Sequence, residues 1–126
     1  MHTLTTTQVG YLLHQWAAGS HSDEAAVQLL VAHRTWLERS DFKAACLNYD
    51  HDGDRPVAWV DWDSVAGFLD DAGCSSSEAR ILRLVAELAG VDSGWPLGDL
   101  LSGLDDHNSR RVADAIAHAL RLDGRR

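Results

Sequence analysis

The sequence predicts a mainly α fold of the α+β type: a helical hairpin, a two-stranded β-hairpin, then a three- to four-helix C-terminal part, all in one domain over residues 1–126. Three observations predict it. Apolar residues recur at i, i+3, i+4 and i+7 between Thr7 and Arg39 and again after Asp63, the period of helices with one buried face. Between these regions lie two short runs rich in aromatic and branched residues, separated by a polar stretch containing Gly53. The 126 residues suffice for one core and are few for two domains. With 45% apolar and 24% charged residues the composition is that of a compact chain.

The first helix is expected over Thr7–Ala18, where Val9, Leu12, Leu13 and Trp16 form one face. Thr5, Thr6 and Thr7 offer an N-cap, and Gly19 ends it. A second helix is expected from Ser22 to about Arg39. Asp23 and Glu24 suit the positive end of its dipole, and its inward stripe is Ala26, Leu29, Leu30, His33, Trp36 and Leu37. The short Gly19–His21 link makes the two an antiparallel pair. Lys43–Tyr49 and Pro56–Trp62 read as strands, joined by the polar turn Asp50-His51-Asp52-Gly53-Asp54-Arg55. Alternation puts Val57, Trp59 and Asp61 on one face of the second strand and Ala58, Val60 and Trp62 on the other.

Helical spacing returns at Asp63 or Ser64 with Val65, Phe68, Leu69 and Ala72, and Gly73 ends it. Ser75 and Glu78 then form a capping box, each side chain bonding the other's backbone N–H. The helix it opens turns Ile81, Leu82, Val85, Leu88 and Ala89 inward and Arg80, Arg83 and Glu87 outward, and stops at Gly90. After a Val91–Pro96 loop, Leu97, Leu100, Leu101 and Leu104 make a short apolar turn. The last helix starts near Asp105 or Asp106 and buries Val112, Ile116, Ala119 and Leu120. Residues 123–126 form a frayed tail.

The segments Ala32–Phe42, Ala58–Asp70, Ser75–Gly90 and Leu101–Leu120, through stretches such as AHRTWLERSDF, AWVDWDSVAGFLD and SGLDDHNSRRVADAIAHAL, resemble small uncharacterised actinobacterial proteins. That resemblance implies a bacterial cytoplasmic setting and brings no activity, cofactor or catalytic residue with it.

Nineteen acidic residues against eleven basic ones give a formal charge of −8. Residues 50–71 hold seven Asp against Arg55 alone, a local balance of −6. Phosphate backbones and anionic membranes are therefore poor partners, and no stretch approaches the apolar length of a membrane span. The N-terminus also lacks a secretory pattern, so a cytoplasmic location is expected. Val65–Arg83 has the outline of a helix-turn-helix, yet Asp61, Asp63, Asp70 and Asp71 oppose DNA on the same grounds. Cys46 and Cys74 lie 28 residues apart with no CxxC pair. They read as small buried hydrophobes, neither disulfide nor zinc ligands.

Three candidate sites follow. Asp50, Asp52, Asp54 and Asp61 fall at positions 1, 3, 5 and 12 of a calcium-loop template, but Arg55 replaces its bend glycine, Pro56 follows, and Asp61 is shorter than the usual Glu. His33 lies on an apolar stripe where burial lowers its pKa, with Glu38 or Asp41 as possible hydrogen-bond partners. With Trp36 and Tyr49 it makes a candidate small-molecule or enzymatic pocket between helix 2 and the hairpin. Trp16 and Trp36 are assigned to the core, while Trp59, Trp62 and Tyr49 are interface candidates, Trp being favoured as an interface anchor. No GxSxG, Walker loop, dinucleotide fingerprint or HExxH occurs, so no cofactor is expected and enzymatic activity lacks a motif. The leading reading is a small acidic protein-interaction module, adaptor or regulatory, binding a protein partner or self-associating through its β-hairpin. The alternatives are the pocket and divalent-cation binding at Asp50–Asp61.

Overall fold

The computed structural model describes residues 4–122. It has the predicted class, mainly helical with one antiparallel hairpin. The expected frayed tail at 123–126 lies outside the described residues.

Helix α1 spans Thr6–Ala17. Thr5 caps it reciprocally: its hydroxyl accepts from Gln8 N while the Gln8 side chain accepts from Thr5 N. Helix α2 spans His21–His33, its N-cap Ser20 accepting from Asp23 N. Contrary to the expectation of a helix to Arg39, α2 stops where Arg34 adopts φ +71°. A 3-10 turn over Thr35–Glu38 follows and turns Trp36 and Leu37 inward, both fully buried. The break lets these residues reach the core at an angle that a straight helix would not provide.

The next stretch also differs from expectation. Residues Ser40–Cys46 form helix α3, burying Phe42 and Cys46 one turn apart, and only Leu47–Asp52 is strand β1. Strand β2 is Arg55–Val60. The two pair in register from Leu47 opposite Val60 to Asp52 opposite Arg55. The connecting turn is therefore Gly53-Asp54 alone, with Gly53 at φ +63°, the conformation a tight two-residue hairpin asks of its first residue. Trp62 does not lie on β2; it opens a 3-10 turn, Trp62–Ser64, leading into helix α4, Val65–Asp71.

Helix α5, Ser76–Leu88, carries the predicted capping box, with Glu78 N to Ser75 Oγ at 3.1 Å and Ser75 N to Glu78 Oε1 at 2.8 Å. Its outward residues are less exposed than expected. Arg83 is half-buried, donating to Ser93 O at 2.6 Å and lying over the Trp95 ring. Helix α6, Leu97–Leu101, buries Leu100 but leaves Leu97 and Leu101 exposed. Helix α7, Asp106–Ala119, turns Asn108, Val112, Ala115 and His118 inward. Leu120, expected in the core, is 62% exposed because the helix has ended by then.

The core is one cluster. Helix α2 is packed against α5, α7 and α1, and α1 in turn packs on β2. Trp36, Phe42 and Phe68 pack in tilted and edge-on pairs with centroids 5.6–5.9 Å apart. The Trp36 indole N–H donates to Glu78 O at 3.1 Å, so this aromatic center is anchored to the first turn of α5. Among the described residues no helix is long and apolar enough to cross a membrane.

Candidate functional site

Two rows of side chains, one on β2 and one on α1, build a surface groove. On β2, Arg55, Val57 and Trp59 project from one face because strand side chains alternate. On α1, Leu12, Gln15 and Trp16 share a face at i, i+3, i+4 spacing. Together with Ala58 they line a groove of about 330 Å³ between helix and strand. Trp16, expected in the core, is 37% exposed. It lies against Trp62, with ring centroids 6.1 Å apart and planes tilted by 37°. The Trp62 indole nitrogen is buried there without a hydrogen-bond partner. Gln15 is steadied by donating from Nε2 to Tyr11 Oη at 3.0 Å.

The three interface candidates do not share one surface. Trp59 stands opposite Asn48 and Tyr49 opposite Ala58, so alternation sends Trp59 and Tyr49 to opposite faces of the hairpin. Trp59 lines the groove, Trp62 reaches it through Trp16, and Tyr49 is exposed elsewhere. Partial burial still raises the Tyr49 phenol above its ordinary pKa.

The candidate pocket between helix 2 and the hairpin does not gather its residues. Trp36 is fully enclosed by Phe42 and Phe68, and neither it nor His33 nor Tyr49 lines the groove. His33 is half-buried at the end of α2, and its Nδ1 has no partner. Glu38 pairs instead with Arg34 at 3.4 Å and Asp41 with Arg39 at 2.6 Å, since the break at Arg34 carries both carboxylates past the histidine. Burial first, and the Arg111 charge second, hold the His33 pKa below its ordinary value, against Glu78 and Asp105.

The calcium-loop candidates do not converge either. Asp50 and Asp52 lie in β1, Asp54 in the turn, and Asp61 beyond the far end of β2, where it accepts from Ser64 Oγ at 2.7 Å. Asp50 pairs with Val57, four residues from Asp61, and about 3.4 Å per residue along a strand puts the carboxylates too far apart for one ion. Among the described residues no group of three His, Cys, Asp or Glu could hold a metal. Cys46 is fully buried and its pKa is pushed up to about 12, by burial first and then by Asp61 and Asp41, so the thiol stays protonated. Cys74 is half-buried, more open than expected, and burial raises its pKa as well.

One further titratable cluster escaped the sequence reading. His118 is 4% exposed on α7, and its Nε2 lies 2.7 Å from Glu24 Oε1 on α2. Glu24 also accepts from Gly19 N at 2.8 Å, and His21 stacks on His118 at 5.6 Å. The Gly19 N–H, then the His118 hydrogen bond, hold the Glu24 carboxyl below its ordinary pKa. The signal available was His118 at i+3 from Ala115 and i+6 from Val112, on the buried face of α7.

Comparison with protein-family models, with curated proteins and with solved structures returned no match.

Proposed function

We propose that this chain is a small cytoplasmic protein-interaction module, adaptor or regulatory in role, whose docking face is the groove between α1 and β2. The observation that carries the reading is the placement of Trp16 and Trp59, which flank an open groove of about 330 Å³ instead of filling the core. Large aromatic side chains at the walls of a depression are the anchors that dominate protein interfaces.

A different protein is the favoured partner over a second copy. The outer edge of β1 is unpaired by any described strand, but it carries Asp50 and Asp52. An antiparallel copy pairing there would bring like charges together, a common device against edge-to-edge association. Capture from the native cell extract tests the reading, using the unaltered chain, the Trp16→Ala/Trp59→Ala double variant and a Trp95→Ala control, each checked for folding by circular dichroism. A partner retained by the first and third and lost by the second supports it; retention by all three overturns it. Light scattering at 13.8 kDa fits the heterologous partner, and a larger mass fits self-association.

A further inference from the structure

We propose that the α1–β2 groove takes a basic segment of its protein partner, with an Arg or Lys side chain lying over the Trp59 indole, its charge at Asp50, and an aliphatic neighbour seated against Leu12 and Trp16. This inference rests on the docking reading above and adds the chemistry of the occupant.

Charge carries the argument. Residues directly opposite each other on paired strands point their side chains to the same face, so the register puts Asn48 beside Trp59, Asp50 beside Val57 and Asp52 beside Arg55. The strand face that walls the groove therefore includes two exposed carboxylates from β1, and Asp54 adds a third in the turn. Residues 50–55 hold these three Asp against Arg55 alone, a balance of −2. Arg55 lies next to two of them, with Asp52 opposite it and Asp54 before it in the chain. Asp50 faces only the uncharged Val57, and among the described residues no cation forms an ion pair with it. Its Oδ1 accepts from His51 N at 2.7 Å, which orients the carboxylate.

The indoles supply the second half of the recognition. Trp59 is the diagonal neighbour of Asp50 across the two strands, about 7–8 Å away and within reach of one long side chain. Elsewhere the fold sets arginine over indole twice, Arg39 on Trp36 at 4.9 Å and Arg83 on Trp95 at 5.0 Å; among the described residues neither Trp16 nor Trp59 is covered in this way. A partner's Arg or Lys lays its alkyl stem along such a ring and carries its charge onward to the carboxylate. Leu12, Val57 and Ala58 make the rest of the groove apolar, and its volume of about 330 Å³ is at the small end of ligand sites, enough for one or two side chains. An acidic segment or a phosphate backbone meets repulsion from the three Asp within a Debye length.

The test is a titration of the full chain with the peptide Ac-Arg-Leu-Arg-Leu-amide and with its Gln and Glu counterparts at both Arg positions, followed by the indole N–H resonances in NMR. The Arg peptide is expected to bind about threefold to tenfold more tightly than the Gln peptide, with Glu weakest, the scale of an exposed ion pair joined to a cation–π contact. Asp50→Asn is expected to remove most of that preference and Asp50→Lys to reverse it, while Asp70→Asn/Asp71→Asn, on α4, leaves it unchanged. Equal binding of the Arg and Gln peptides, a preference that survives Asp50→Asn, an equal loss in the α4 control, or no indole shift at millimolar Arg peptide each overturns the inference. Capture separates this from the docking reading: a partner lost by Trp16→Ala/Trp59→Ala and held undiminished by Asp50→Lys overturns the basic occupant alone, and one held by both variants overturns both.

Discussion

Glu24 and His118 stand 94 positions apart and meet at 2.7 Å, joining the first turn of α2 to the last turn of α7. The pair is a clasp between the two helices, beside the stacking of His21 on His118. The Glu24 carboxylate also takes up the Gly19 N–H, so it closes the α1–α2 link with its second oxygen. Replacing His118 with Ala removes one partner of a largely buried hydrogen bond, and a loss of about 1–3 kcal/mol is expected. A double-mutant cycle with Glu24→Gln, measured by urea unfolding, is expected to give a coupling of about 1 kcal/mol or more. A coupling near zero would mean that the two side chains contribute independently.

Stability should rise with pH across two windows. The folded chain holds Glu24 below its ordinary value of 4.5, so its contribution is complete above 4.5 and is lost as pH falls through the lower folded value. Burial lowers the His33 pKa below 6.5, so the unfolded chain takes up a proton there before the folded chain does. That contribution is complete above 6.5 and declines as pH falls toward the folded value. Urea midpoints between pH 7 and 5 check this: His33→Gln should flatten the slope, and an unchanged slope would show that another group causes it.

What the sequence revealed depended on the range of the forces involved. The Ser75–Glu78 box was legible, and the α1 cap was narrowed to Thr5, Thr6 or Thr7, because capping is settled within four residues. The Trp36 stripe was legible in periodicity, but the break at Arg34 was not, since no Gly or Pro marks it and the packing of Trp36 against Phe42 and Phe68 that goes with it is long-range. The Phe42 and Cys46 spacing of four was the available sign of α3, and it was outweighed by the strand-like composition of the segment that follows. At the groove, alternation along β2 correctly grouped Val57 with Trp59. That α1 would supply the second wall with Leu12, Gln15 and Trp16 is a long-range packing result, invisible to any local pattern.

Caps make a local prediction that packing cannot obscure. Ser75→Ala removes the acceptor for Glu78 N and is expected to destabilise the protein by about 1 kcal/mol. Thr5→Ala at α1, which removes the acceptor for Gln8 N, should have a similar effect. Ser75→Asp should retain most of the stability, because a carboxylate accepts the same bond and suits the helix dipole. Thermal or urea unfolding of the three variants decides it, and equal losses for Ala and Asp at position 75 would contradict the capping role.

Arg34 offers the sharpest separation of backbone from side chain. At φ +71° and ψ −36° it occupies a region that a residue with a Cβ enters at a cost of order 1–2 kcal/mol. Its side chain returns little, since the ion pair with Glu38 is half exposed on both sides. Glycine removes the strain but adds conformational freedom to the unfolded chain, an opposing effect of up to about 1 kcal/mol. Arg34→Gly is therefore expected to leave stability unchanged or raise it by up to about 1 kcal/mol. Arg34→Pro should be severe, at about 3 kcal/mol or more, because it forces φ near −65° and deletes the N–H that bonds Leu30 O at 3.1 Å. Arg34→Ala isolates the ion pair by keeping the strain, and should cost only a few tenths of a kcal/mol. A loss above 1 kcal/mol in the glycine variant would show that the guanidinium, and not the packing of Trp36 and Leu37, sets the turn.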